Sequence, residues 1–307
     1  MKKTNLLNKK GNLKMKISEL FKTGSPTLSF EVFPPKTSDT YESVKDAAEN
    51  IAALKPDFMS VTYGAGGGTS QYTLDIAKDI EERYGVPVIA HLTCVSSSRE
   101  TVKERINGMK AAGIKNVLAL RGDVPESMKN DDRTSWHYSH AFELIRELKE
   151  SGGDFCIGGA CYPEVHPESI NQKEDIKHLK EKIDAGCEFL TTQMFFENNL
   201  FYNFMYKIRE AGITVPIVAG IMPITNAKQV ERAIKLSGSH MPQRFKALVD
   251  HFGTNPSAMM QAGIAYSTDQ IIDLLANGVN AIHVYSMNKP EVAAAVQRNL
   301  SEILVKK

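Results

Sequence analysis

A glutamate stands inside an alternating apolar run, Ser29-Phe30-Glu31-Val32-Phe33, and Pro34 and Pro35 end that run before Lys36. Glu has low strand propensity and is costly to bury. An acid in such a place is either a solvated strand end or a proton-transfer group whose pKa is raised by its surroundings. Phe30, Val32 and Phe33 predict an apolar setting for Glu31, which is the condition for a general acid at neutral pH.

Other polar residues recur at matching places along the chain. Thr62-Tyr63-Gly64 closes a second apolar run, His91-Leu92-Thr93 lies in a third, and Arg121-Gly122-Asp123 closes a fourth. Tyr162-Pro163-Glu164-Val165-His166-Pro167 follows a fifth, Gln193 interrupts a sixth, and Asn288-Lys289 follows the last. Taken singly, each has a plain structural reading: His91 as a core histidine, Arg121 with Asp123 as an ion pair, Gln193 as a cap on a barrel layer. Their recurrence at the same ends of successive runs points to one site. No HxH, HExxH or carboxylate cluster is present, so no metal is expected. Neither GxSxG nor a Cys-His pair offers a nucleophile. Proton transfer beside a bound organic cofactor is the chemistry left.

The elements that must carry these residues alternate. Apolar or β-branched runs at 27–33, 57–63, 87–94, 116–121, 154–162, 189–196, 215–222 and 281–287 predict strands. Amphipathic stretches at 40–55, 70–85, 98–113, 139–152, 173–186 and 197–212 predict the helices between them. Val44, Ala48, Ile51 and Leu54 make one apolar stripe, and Val102, Ile106 and Met109 another. Glycines 85, 113, 152, 186 and 212 sit where helix C-caps belong. Repeated βα units imply parallel strands, and eight of them predict an α/β fold, a (β/α)8 TIM barrel, as a single domain with extra helices over 226–280. A doubly wound dinucleotide fold would need GxGxxG after the first strand. The only Gly-rich stretch, Gly64-Ala65-Gly66-Gly67-Gly68, follows the second.

The chain has 307 residues and a net charge of +1. Six lysines and no acid fall within residues 1–16, so the rest carries −5. Those residues read as a basic, disordered extension, with the ordered domain at 17–307. An acidic body gives no reason to expect nucleic-acid binding. No run of 18 apolar residues suggests a membrane span. Four cysteines with no CxxC or metal-like spacing, and only Cys156 and Cys161 fairly close, fit reduced, buried thiols and a cytoplasmic location.

These motifs, in this order, resemble the methylenetetrahydrofolate reductases over residues 17–305. The match rests on Ser29 to Lys36, Ser60 to Ala65, His91 to Cys94, Leu120 to Asp123, Tyr162 to Pro167, Thr192 to Phe196 and Gly220 to Ile224. In length the chain is similar to the compact bacterial form. The resemblance implies a noncovalent FAD, reduced by NADH or NADPH, that reduces 5,10-methylenetetrahydrofolate in a ping-pong cycle feeding methionine synthesis, in a homo-oligomeric enzyme. Thr62, Tyr63, Ala65, His91, Arg121, Gly122, Asp123, Tyr162, His166, Asp175 and Lys182 match the family's flavin positions, with Ser139, Ser169 and His178 beside them. Glu31, Thr62, Asp123, Gln193, Gln229 and Lys289 match positions that meet substrate. Glu31 and Asp123 would be the catalytic pair, Glu31 protonating folate N10 and Asp123 lowering the flavin potential. Arg121 and Lys182 would face the pyrophosphate. The chain departs from the pattern at His178 and Glu181, where enterobacterial members carry Asn and Arg, and at Lys289, where Arg is usual. Two other readings stay open: another flavin-dependent barrel oxidoreductase, similar to proline dehydrogenase, and a chain that needs a partner protein for electron input.

Overall fold

Each of the eight apolar runs forms a parallel strand in a computed structural model of the chain, and the strands close into a barrel in sequence order. They are β1 (Thr27–Val32), β2 (Phe58–Val61), β3 (Val88–Thr93), β4 (Asn116–Leu120), β5 (Cys156–Cys161), β6 (Phe189–Thr192), β7 (Ile217–Ile221) and β8 (Ala281–Tyr285). The structure describes residues 15–35, 37–63, 70–125, 128, 132 and 135–304. Most of the basic N-terminal stretch, Lys36 and Ala65 therefore lie outside the described residues.

The helices fall where the amphipathic stretches predict them. They are α2 (Tyr41–Ala52), α3 (Ser70–Asp79), α4 (Arg99–Ala111), α5 (Ala141–Glu150), α6 (Gln172–Asp184) and α7 (Asn198–Glu210). A short α1 (Ile17–Phe21) precedes them. The 226–280 interval holds α8 (Lys228–Ser237), α9 (Gln243–Phe252) and α10 (Pro256–Ala276), and α11 (Pro290–Asn299) closes the ring. All five glycines placed at helix ends have positive φ, from 68° to 112°. Ala48 and Ile51, and Val102, Ile106 and Met109, are buried between helix and strand as their spacing requires.

Parallel strands covered by helices have two buried faces, and here the faces differ in chemistry. Leu28, Phe30 and Val32 of β1 join the large outer core against the helices. The inner face is layered along the barrel axis. At its lower end Phe58, Ile89, Leu118, Cys156, Phe189 and Val218 form a separate apolar cluster. Helix α1 plugs that end: Ile17 joins the cluster, and Phe21 lies edge-on to Phe58 with ring centroids 6.1 Å apart. Gly158 leaves room for the Phe189 ring, which occupies the space a Cβ would take. At the opposite end, α8 to α10 build a third core around Met194, Phe196, Met222, Ile224, Phe245 and Met259.

One buried side chain ties the plug to the strands. Asn116 accepts from the Ile17 backbone N–H at 2.8 Å and donates to the carbonyls of Met15 and Val88 at 3.1 and 3.2 Å. It is fully buried, so losing it strands those groups. We expect Asn116→Ala to lower unfolding free energy by about 2–4 kcal/mol, read as a lower urea midpoint with the helical signal of the folded state retained. A change within about 0.5 kcal/mol, typical of surface substitutions, would mean that α1 is not anchored this way.

Candidate active site at the barrel mouth

The C-terminal ends of the strands open into a cavity of about 960 Å³. The βα loops and the outermost inward-facing residues line it, as expected for this fold. Of the residues singled out from sequence, Glu31, Thr62, Tyr63, His91, Arg121, Gly122, Asp123, Tyr162, His166, Ser169, Asp175, His178, Lys182, Gln193 and Gln229 line this space. Ser139 and Lys289 do not.

Glu31 reaches the cavity because strand residues alternate. Phe30 and Val32 turn outward and are fully buried among helices, while Glu31 turns inward, its side chain 19% exposed. The apolar setting expected from Phe30, Val32 and Phe33 is therefore not what the carboxylate meets. Its neighbours are polar: Ser60 Oγ at 3.4 Å, His91 Nε2 at 3.7 Å and His283 Nε2 at 3.9 Å. Burial pushes the His91 pKa down to about 4, and its Nε2 has no hydrogen-bond partner. His91 is thus a neutral ring with a polar atom aimed at the carboxylate's side of the cavity.

Arg121 and Gly122 form the turn after β4. Gly122 has φ 90°, and a Cβ there would lie 3.1 Å from Thr93 Cβ, so a side chain would be both strained and crowded. Arg121 does not pair with Asp123. Its guanidinium donates to both oxygens of Glu168, each at 2.7 Å, and its Nε donates to the Gly122 carbonyl. The fork geometry matches a planar bidentate anion, which a carboxylate provides here and a phosphate could equally provide. Asp123 sits exposed at the cavity rim.

The loop after β5 is held by a buried acid. Asp175, near the start of α6, accepts from the His166 backbone N–H at 3.1 Å, and burial raises its pKa. The Tyr162 and His166 rings meet edge to face at 4.6 Å. Burial, helped by the Arg121 charge, pushes His166 down to about 4, and burial pushes Tyr162 up to about 12, so both rings are neutral at pH 7. Between them Val165 has φ 87°, a strained conformation for a β-branched residue, tolerated in a loop pinned at both ends.

The remaining predicted residues separate. Lys182 Nζ donates to the Ala160 carbonyl at 2.7 Å, and burial lowers its pKa, so this cation braces β5. His178 Nδ1 lies 2.8 Å from Glu181, and the His140 ring stacks on His178 with centroids 4.8 Å apart. Glu181 thus has His178 beside it, and Lys177 Nζ lies 3.8 Å from its other oxygen. The Ser139 backbone N–H donates to Glu143 at the start of α5, away from the cavity lining. Lys289 Nζ donates to Thr225 Oγ1 at 2.8 Å, and the Thr225 N–H donates to Gln229 Oε1 at 3.0 Å. One threonine therefore joins the two residues matched to folate.

Sequence reading passed over His283, Tyr285, Ser29 and Ser60. The available signal was parity: Ser29 precedes Glu31 by two, and His283 precedes Tyr285 by two in an otherwise apolar run. Tyr285 crosses above Gly220, where a Cβ would collide with its hydroxyl, and donates to the Thr192 carbonyl at 2.5 Å. All four cysteines are buried and unpaired with one another. No helix among the described residues is long and apolar enough to cross a membrane.

A profile of the methylenetetrahydrofolate reductase family matches residues 16–301. A 5,10-methylenetetrahydrofolate reductase of Pectobacterium carotovorum is 36% identical over 293 residues, covering 95% of each chain. A methylenetetrahydrofolate reductase (NADH) of Zea mays is 35% identical over 94% of this chain, which spans 50% of that relative. Among solved structures, an uncharacterised Clostridium thermocellum protein that binds two copies of 5-methyl-5,6,7,8-tetrahydrofolic acid superposes with TM-score 0.65 at 16% identity, over 94% of this chain and 100% of its own. That likeness concerns the fold alone.

The buried histidines make stability depend on pH with a defined sign. His91 in the folded chain titrates near 4, below its ordinary value of 6.5, so between those values the unfolded chain binds the extra proton. The stabilising effect of a neutral His91 is present above pH 6.5 and is lost as pH falls toward 4. We expect urea stability to fall across this window, with His91 contributing up to ~3 kcal/mol. In His91→Asn the slope should become shallower, and an unchanged slope would assign the loss to other groups.

Proposed function

The chain belongs to the methylenetetrahydrofolate reductase family, and on that premise we propose that it reduces 5,10-methylenetetrahydrofolate to 5-methyltetrahydrofolate with FAD as a noncovalent cofactor. NADH or NADPH would supply the electrons, and the methyl product would serve methionine synthesis. The observation that carries this reading is the placement of Glu31. It is an inward-facing carboxyl at the base of a cavity at the upper end of the usual range for small-molecule sites.

The residues present suit a flavin nucleotide. Leu118, Leu120, Met194 and Met222 give the cavity apolar wall, and His91 offers a buried nitrogen lacking a partner. Arg121 has the fork that a pyrophosphate needs and would exchange the Glu168 carboxylate for it. Lys182 would act from behind the wall, bracing β5. Bound FAD would accept a hydride from the nicotinamide and deliver one to the folate.

The chain's own residues handle binding, charge and the proton. Gln193, whose Oε1 accepts from the Met194 N–H at 2.9 Å, presents a fixed amide to whichever substrate occupies the cavity. Use of one amide by two successive substrates suits a ping-pong cycle. Gln229, held through Thr225, marks the side toward which the folate tail would run, with Lys289 anchored behind it. Asp123 places a negative charge at the rim, where it would disfavour electron uptake by a nearby ring and stabilise a developing cation on the folate. Glu31 would donate its proton to N10 as the folate's five-membered ring opens.

Two substitutions test the assignment. In Glu31→Gln the reoxidation of the flavin by methylenetetrahydrofolate should slow by ~10²–10⁴-fold, the usual effect of losing a general acid. Anaerobic bleaching by NADH, which needs no proton donor, should fall far less; equal slowing of both half-reactions would make Glu31 a structural residue. Asp123→Asn should raise the flavin potential in a potentiometric titration, by on the order of 30 mV, the two-electron equivalent of ~1.4 kcal/mol. No rise would remove Asp123 from the flavin's neighbourhood.

A further inference from the structure

At the seam between β8 and β1, the turn that follows β8 carries strain for which the reaction described above gives no reason. Met287 has φ 55° and Asn288 φ 54°, the only two successive non-glycine residues in the left-handed region among the described residues. Asn enters that region more readily than most side chains, and Met does not. Strain of this kind persists where the surroundings hold it in place, and it gathers at functional sites.

The Asn288 side chain shows what the turn accomplishes. The β1–β8 ladder runs from Thr27 opposite Ala281 to Glu31 opposite Tyr285, and there β8 ends. Phe33 is the last residue of the β1 run with an N–H to give, because Pro34 and Pro35 have none. That N–H donates to Asn288 Oδ1 at 2.9 Å, and Asn288 Nδ2 donates to the Phe33 carbonyl at 2.9 Å. Turning the amide over would set donor against donor, so its orientation is fixed. A side-chain amide thus stands in for a further peptide group of β8. Ser286, itself buried, donates from Oγ to the Glu31 carbonyl at 2.7 Å. From the β2 side the Thr62 N–H donates to the Val32 carbonyl at 2.9 Å. The backbone from Glu31 to Phe33 is therefore held at every residue, and two of the three holds come from the strained turn.

We propose that Asn288 is a positioning residue for Glu31: by clamping Phe33 it fixes the end of β1, and with it the place from which the Glu31 carboxyl meets the folate. This rests on Glu31 being the acid, as proposed above. Asn288 does not line the cavity, so it acts through the backbone of β1 and not on the substrate. The turn is anchored on its far side as well, since the next residue, Lys289, reaches Thr225. Below Glu31 the seam is closed by the β1–β8 ladder itself, so the amide holds the strand at the point where that ladder has run out.

The test is a double-mutant cycle on the two half-reactions, in the full-length chain loaded with FAD. Asn288→Gly removes both amide bonds, and glycine takes φ 54° without cost, so backbone strain does not confuse the result. At saturating methylenetetrahydrofolate, flavin reoxidation should slow ~10–10²-fold, the scale of misplacing a reacting group by up to about 1 Å. Anaerobic bleaching by NADH should stay within about twofold of the parent, because hydride transfer to the flavin needs no proton donor. In a Glu31→Gln background, where the acid is already gone, Asn288→Gly should slow reoxidation by less than about twofold further, the non-additivity of two residues acting as one. Unchanged reoxidation in Asn288→Gly overturns the inference. So does equal slowing of both half-reactions, which marks a merely structural residue, or a full further slowing in the Glu31→Gln background, which places its action elsewhere. Should Asn288→Gly not fold, Asn288→Asp keeps the acceptor for the Phe33 N–H and loses only the donor, with the same split between half-reactions expected and its absence equally fatal. If Glu31→Gln slows folate reduction but the Asn288 variants do not, this inference alone fails. If Glu31→Gln leaves folate reduction untouched, the assignment of the acid fails and this inference with it.

Discussion

The two-residue period of β1 is the constraint on which the site depends. It sends Phe30 and Val32 into the helix-packed shell and leaves Ser29 and Glu31 on the inner face, where an apolar side chain would otherwise be expected. A shift of one residue in the β1–β2 or β1–β8 register would bury the carboxylate among helices and expel two fully buried apolar side chains. The pairing of Glu31 with Ser60 and with Tyr285 is therefore enforced by the same hydrophobic burial that stabilises the barrel. Fold and site are selected together.

The barrel interior is consequently graded. Its lower end is an apolar plug closed by α1, its middle a layer of hydroxyls and imidazoles, and its upper end the cavity. Polar groups in the middle layer persist because they satisfy one another: His283 has a partner on each ring nitrogen, and Ser29 uses the Ile282 carbonyl. His91 is the exception, with a buried nitrogen that no protein group meets. Such an unmet atom beside a carboxylate suits a surface built to be completed by something bound in the cavity.

Electrostatics at the mouth follow from burial more than from formal charge. His166 is kept neutral by its surroundings, Lys182 is bonded to a backbone carbonyl, and Glu181 lies within hydrogen-bond reach of His178. Arg121 has the geometry for an anion and is already engaged by Glu168. The same ion pair orders the Arg121 side chain, so any other anion taken up by this guanidinium would have to displace the Glu168 carboxylate.

Eight strands, their flanking helices and the C-terminal placement of the polar residues were legible in the sequence, because period, capping glycines and strand-end motifs are local signals. Glu31 stood out for the same reason: an acid inside an apolar alternation is visible without coordinates. What that acid touches was not legible. Sequence neighbours Phe30 and Val32 suggested an apolar pocket, but alternation turns them away, and the actual neighbours come from β2, β3 and β8, as far as 252 positions along the chain. The Arg121–Glu168 pair, the bracing of β5 by Lys182 and the linking of Lys289 to Gln229 through Thr225 are likewise long-range pairings. Side-chain type predicts that a cation will find an anion or a carbonyl; only barrel closure decides which one lies within reach.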